Sequence, residues 1–142
     1  MAKNTADATW TGSLKEGEGH MALGNKAFEG AFSYKSRFEE GEGTNPEELI
    51  GAALAGCFSM QFSAFLYNDG IEAESVSTHA EVTLRPVDGT PTIDKIALTT
   101  TVKASGADED KVREIGEKAK QGCPVSRALG GVGEISLDLT VE

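Results

Sequence analysis

An α+β fold follows from three features of this 142-residue sequence. Short runs of alternating apolar and polar residues precede and follow a long uncharged stretch, the stretch itself has helical length, and a thinner amphipathic run leads into one last alternating segment. Strands, a central helix, more strands, a second helix and a final strand make antiparallel sheets, each with one wet face, wrapped around a long buried helix. The length suits one domain covering residues 1–142.

The first alternating runs lie at residues 6–14, 19–23 and 27–38, with Gly12, Gly17, Gly24 and Gly30 marking turns or bulges. A Gly-Glu loop, EEGEGT, then leads to NPEELIGAALAGCFSMQFSAFLYNDG at residues 45–70. Asn45 suits a helix N-cap and Pro46 the first turn. Glu48 is placed to reach back to the free backbone donors, and Glu47 and Glu48 suit the positive end of the helix dipole. Asn68-Asp69-Gly70 supplies the stop. Roughly 22 residues, about 33 Å of helix, lie between.

From Leu49 to Tyr67 no residue is charged, so this helix has no face suited to water. Its flanks carry acids and no Lys or Arg, and Ser59, Gln61 and Ser63 sit mid-length, which speaks for a buried core helix and against a membrane span. So little chain remains to cover it that a second copy is the simplest cover. Gly51, Ala52, Ala53, Ala55 and Gly56 are small enough to let another backbone come close.

Beyond the helix, Ala80, Val82 and Leu84 alternate with Glu81, Thr83 and Arg85, and Asp88-Gly89 turns the chain. Ile96, Leu98, Thr100 and Val102 share the face of the next strand. A second helix runs from Asp108 to about Gln121 with a thin stripe of Val112, Ile115 and Ala119. The last strand points Ile135, Leu137, Leu139 and Val141 inward.

The net charge of −10 and the lack of a basic patch make nucleic acid an unsuitable partner. The opening MAKNTADATW has no apolar core of the signal-peptide kind, so the cytoplasm is the expected compartment. There a permanent disulfide between Cys57 and Cys123 is disfavoured, while a transient one fits redox chemistry. Cys57, Cys123, His20 and His79 lie apart in sequence, unlike the short-spaced ligands of a structural zinc site, and no metal or cofactor is expected.

Cys57, within AALAGCFSMQF, reads locally as a small core residue. Cys123, within AKQGCPVSRAL, lies between the end of one helix and a Pro124 that opens another, where thiolate is favoured. The strings GTNPEELIGAALAGCFSM and KAKQGCPVSRAL closely resemble the OsmC branch of the OsmC/Ohr peroxide-reductase family, and the order and spacing of segments match along nearly the whole chain. CPVS at the second cysteine, and Arg37 within SRFEEGEGTNPEE, are similar to the OsmC pattern; Ohr proteins typically have CPYS and an arginine nearer the N-terminus.

The resemblance implies that peroxide attacks at Cys57, that Cys123 resolves the product, that Arg37 stands beside the reactive sulfur and that Glu47 holds Arg37. It implies an OsmC-like fold in an intertwined homodimer with sites at the subunit interface, a small-molecule hydroperoxide substrate, and reduction by an external dithiol, lipoyl-type in relatives. Taken singly, Arg37 reads as a surface charge among Glu39, Glu40 and Glu42, and Glu47 as a helix-terminus acid.

Chemistry supports the implied roles. Peroxide cleavage needs a thiolate, which an apolar setting disfavours unless a fixed cation is near. Arginine stays charged and offers a planar donor fork, which Glu47 can lock with paired hydrogen bonds. Glu47 and Cys57 are ten residues apart on one helix, roughly 15 Å along its axis. One guanidinium cannot touch both, so either the acid comes from the partner chain, the preferred option, or the helix breaks. Phe58, Met60, Phe62 and Phe65 are candidate substrate contacts that would favour organic hydroperoxides. The competing expectations are a non-enzymatic protein holding a lipid-like molecule on the same fold, and a redox sensor that forms the disulfide without turnover.

Overall fold

The computed structural model describes residues 1–142, which form two compact units, Met1–Leu49 and Ile50–Glu142. In the first, β1 (Ala6–Thr11), β2 (Glu18–Leu23) and β3 (Glu29–Ser33) make an antiparallel meander in the order β1-β2-β3. Every residue of β1 is exposed.

The alternation at residues 27–38 ends earlier than the sequence predicts. After β3 the chain turns into the short helix α1 (Tyr34–Phe38). Ser33 and Ser36 cap each other reciprocally: the Ser36 N–H donates to the Ser33 hydroxyl oxygen at 3.1 Å and the Ser33 N–H to the Ser36 hydroxyl oxygen at 2.9 Å. Two satisfied backbone donors outweigh a weak strand pattern. Arg37 therefore stands on a helix, not a strand.

Helix α2 (Pro46–Asn68) is unbroken. Asn45 caps it, its side-chain oxygen accepting from the Glu48 N–H at 2.9 Å. The Glu48 carboxylate does not reach back as predicted; it accepts from the Thr44 hydroxyl at 2.9 Å. At the other end Gly70, at φ 77°, completes a Schellman turn: Ile71 N–H bonds Leu66 O at 2.9 Å and Gly70 N–H bonds Tyr67 O at 3.0 Å.

The apolar residues of α2 are spread over all its sides, its most apolar 18-residue stretch has a mean hydropathy of 1.7, and by length and composition alone it could cross a membrane. Its own chain covers only part of it. Leu54, Phe58, Phe62 and Leu66, one row at four-residue spacing, are fully buried, while Met60 and Tyr67 are 78% and 70% exposed. Wrapping on every side is thus not achieved within one chain.

The second unit continues with β4 (Ser75–Val87) and β5 (Thr90–Lys103), a long antiparallel hairpin. Asp88 and Gly89 turn it with φ of 50° and 77°, the left-handed pair of a type I′ turn that suits strand twist. Helices α3 (Glu109–Gly122) and α4 (Pro124–Ala128) then carry the chain to β6 (Glu134–Val141). β6 lies beside β5 in parallel, completing the order β4-β5-β6. This corrects the all-antiparallel expectation: a helical crossover returns the chain to the same end of the sheet, so the next strand runs in the same direction.

The core gathers Ile96, Leu98, Val102, Val112, Ile115, Ala119, Cys123 and Leu139 around the buried row of α2. Contacts are close. A β-carbon on Gly116 would lie 3.1 Å from both Phe62 Cζ and Leu139 Cδ2, and one on Gly51 would lie 3.3 Å from Val82 Cγ2. Gly51 thus makes room for β4 of its own chain. A chain of hydroxyls crosses the core: Ser59 donates to Thr78 at 2.8 Å, and Thr78 and Thr100 are bonded at 3.1 Å.

Candidate active site

Each unit holds one pair of the residues singled out by sequence. In the first, Arg37 on α1 faces Glu47 in the first turn of α2. Its Nε donates to both carboxylate oxygens at 3.2 Å and its Nη2 to Oε1 at 2.7 Å. The Glu47 side chain is 10% exposed and that of Arg37 37%, so the acid is the fixed partner and the arginine is the more open of the two. Local hydrogen bonds hold the two segments in register. The Asn45 amide donates to Ser36 O at 2.9 Å and the Ser36 hydroxyl to Thr44 O at 2.7 Å. The acid and arginine pair within one chain.

Around Arg37 lies an apolar recess of about 240 Å³, lined by Trp10, Leu14, Phe32, Tyr34 and Phe38. The Phe38 ring centre is 5.2 Å from the guanidinium carbon, within cation–π range. Sequence reading does not single out these side chains. Their signal is weak, because they come from β1, the loop after it, β3 and α1, which only folding joins.

In the second unit Cys57, in the middle of α2, and Cys123, between α3 and α4, stand with their sulfurs 2.7 Å apart and share a hydrogen bond. Both are free thiols; Cys123 is fully buried and Cys57 half-buried. Cys123 is held from both sides, its N–H bonded to Ala119 O at 2.9 Å and its carbonyl to the Arg127 N–H at 3.0 Å. Pro124 supplies the first residue of α4, its fixed φ suited to that position.

The two thiols differ in acidity. Burial, then the proton shared with Cys123, pushes Cys57 above the ordinary thiol range, and a backbone donor at Val125 opposes this without reversing it. At Cys123 burial also acts upward, but the hydrogen bond shared with Cys57 and the N–H groups of Ser126 and Val125 outweigh it and hold the thiol below that range. No group of three or more His, Cys, Asp and Glu side chains converges on a metal position.

Of the aromatic and sulfur side chains near Cys57 in sequence, Phe58 and Phe62 are fully buried in the core with ring centres 5.5 Å apart. They have no surface to offer a ligand in this chain. Phe65 lies under Gly122, whose added β-carbon would be 3.7 Å from its ring, and Met60 points outward.

The sequence and the fold both find counterparts among known proteins. Residues 39–138 match the family described as OsmC-like protein. Peroxiredoxin OsmC of Escherichia coli is 43% identical over 132 residues, which cover 92% of this chain and 91% of that protein. An organic hydroperoxide resistance protein of Xanthomonas axonopodis pv. citri is 30% identical over 95% of this chain and 93% of its own length. The crystal structure of an organic hydroperoxide resistance protein OsmC from Legionella pneumophila superposes with a TM-score of 0.71 at 24% identity, covering 100% of this chain and 99% of the other, a likeness of fold. Sequence and topology agree: the chain belongs to the OsmC-like protein family, on its OsmC branch.

Proposed function

We propose that this peroxidase-type enzyme of hydroperoxide defence reduces organic hydroperoxides, and hydrogen peroxide less well, through a Cys57 sulfenic acid and a Cys57–Cys123 disulfide. The observation that carries the reading is the 2.7 Å approach of two free thiols from elements 66 residues apart. The Cys57 thiolate attacks the terminal peroxide oxygen, the O–O bond breaks, and the alkoxide leaves with a proton as alcohol. Cys123 then displaces water from the sulfenic acid to form the disulfide. An external dithiol reopens it, and the reducing cytoplasm suits such a cycle.

None of the groups that set the acidity of Cys57 is a cation. Arg37 has the charge and the exposure to offset that thiol's burial, but it is seated on Glu47, and α2 runs unbroken for roughly 15 Å between Glu47 and Cys57. The Arg37–Glu47 pair of one protomer therefore serves the thiol of another, in a homodimer that covers the free face of α2. Donors aimed at the departing oxygen add transition-state stabilisation.

The test is a peroxide assay with dithiol as reductant. Turnover of an alkyl hydroperoxide that disappears in Cys57→Ser supports the reading; the same turnover in that variant removes Cys57 from the chemistry. One equivalent of hydroperoxide should also consume both thiols, and survival of both would point to a binding protein instead.

A further inference from the structure

Ser126 follows Cys123 by three residues in α4 and is 8% exposed. Its hydroxyl oxygen is buried and makes no hydrogen bond in the dithiol form. An unpaired buried hydroxyl is a standing cost in a core otherwise well satisfied. The group it can serve is the Cys123 sulfur three residues back, once that sulfur carries the charge of a thiolate. Accessibility points the same way: Cys57 is half-buried, whereas Cys123 shows no surface at all. An incoming thiol meets the sulfur of Cys57.

We propose that the reducing dithiol enters at Cys57, that Cys123 is the leaving thiolate, and that Ser126 is the positioning residue that receives its charge. This rests on the disulfide cycle proposed above. One thiolate of the reductant attacks Cys57 Sγ, the Cys57–Cys123 bond breaks, and its electron pair goes to Cys123 Sγ, where the Ser126 O–H donates a hydrogen bond. Cys123 then takes a proton from solvent. The second thiol of the reductant attacks its own sulfur in the mixed disulfide, which frees Cys57 and leaves the reductant as a cyclic disulfide. Exchange is faster when the better-stabilised thiolate departs, so the unequal surroundings of the two sulfurs set the direction of attack.

The full-length protein, oxidised with diamide so that the disulfide does not depend on peroxide chemistry, is treated briefly with a monothiol, quenched in acid and mapped by mass spectrometry. The mixed disulfide is expected on Cys57; an adduct on Cys123, or no intramolecular disulfide with diamide, overturns the proposal. Ser126→Ala should slow reduction by dithiothreitol roughly 3- to 10-fold, and an unchanged rate overturns its role. In a Cys57→Ser background the same change should move the ultraviolet titration of the Cys123 thiolate to higher pH. An unmoved titration removes Ser126 from the role. If the diamide disulfide maps as expected but hydroperoxide never forms it, the peroxidase reading fails and this one stands.

Discussion

At the scale of single residues, the unequal acidity of the two thiols shapes the chemistry. Burial pushes the Cys57 thiol up, so peroxide reactivity should climb with pH wherever no cation reaches the sulfur. Replacing Arg37 with Ala should therefore move the pH midpoint of Cys57 oxidation upward, as read by stopped-flow with an alkyl hydroperoxide. An unshifted profile would mean that Arg37 does not face the sulfur. Glu47→Gln keeps the shape but loosens the fork, and kcat/KM should fall about 10- to 100-fold, in keeping with misplacement of a reacting group. Cys123→Ser should still lose the Cys57 thiol to peroxide but stall there, with over-oxidised Cys57 in the mass spectrum. Cys123 at the start of a helix was legible in its sequence, because Gly122 and Pro124 bracket it. The burial of Phe58 and Phe62 was not: with apolar residues on every side of α2, no periodicity tells a core aromatic from one open to a ligand.

At the scale of elements, local chemistry was readable and direction was not. Asn45 and the Asn68-Asp69-Gly70 stop are short-range signals, and each acts in the structure through a hydrogen bond to the backbone; Asp108, read as the first residue of its helix, instead caps it, accepting from the Lys111 N–H at 3.1 Å. α1 escaped notice because its reciprocal serine cap sits inside an alternating run. The parallel pairing of β6 escaped because alternation reads the same in both directions. Packing of α3 on α2 and β6 is set by a residue with no side chain. Gly116→Val, with Phe62 and Leu139 each 3.1 Å from the first added carbon, should destabilise the fold by about 1–3 kcal/mol in urea denaturation. An unchanged midpoint would show that the helix can shift at no cost.

At the scale of the whole molecule, the uncovered face of α2 is the dominant fact. Met60 and Tyr67 leave large apolar surface in water, as an interface for a second copy requires. The double variant Met60→Glu, Tyr67→Glu should run as a monomer in light scattering and lose hydroperoxide turnover with it. Its Cys57 should then titrate as in Arg37→Ala. A monomer with full activity would place the cation for Cys57 within one chain, against the proposal. The sequence showed that this helix lacked cover but could not say which side its own sheet would take, since that choice belongs to the packing of β4, β5 and α3.

The hydroxyl chain from Ser59 through Thr78 to Thr100 bears on the same helix. A greasy rod can slide or roll against an oily wall at little expense, because one methyl group is much like another. Directional bonds two residues beyond Cys57 forbid that freedom: a slip of one residue would swing the sulfur about 100° away from its mate and strand three oxygens. Ser59, Thr78 and Thr100 thus work as an indexing pin. They hold α2 at the one rotation that brings the sulfur of Cys57 to that of Cys123.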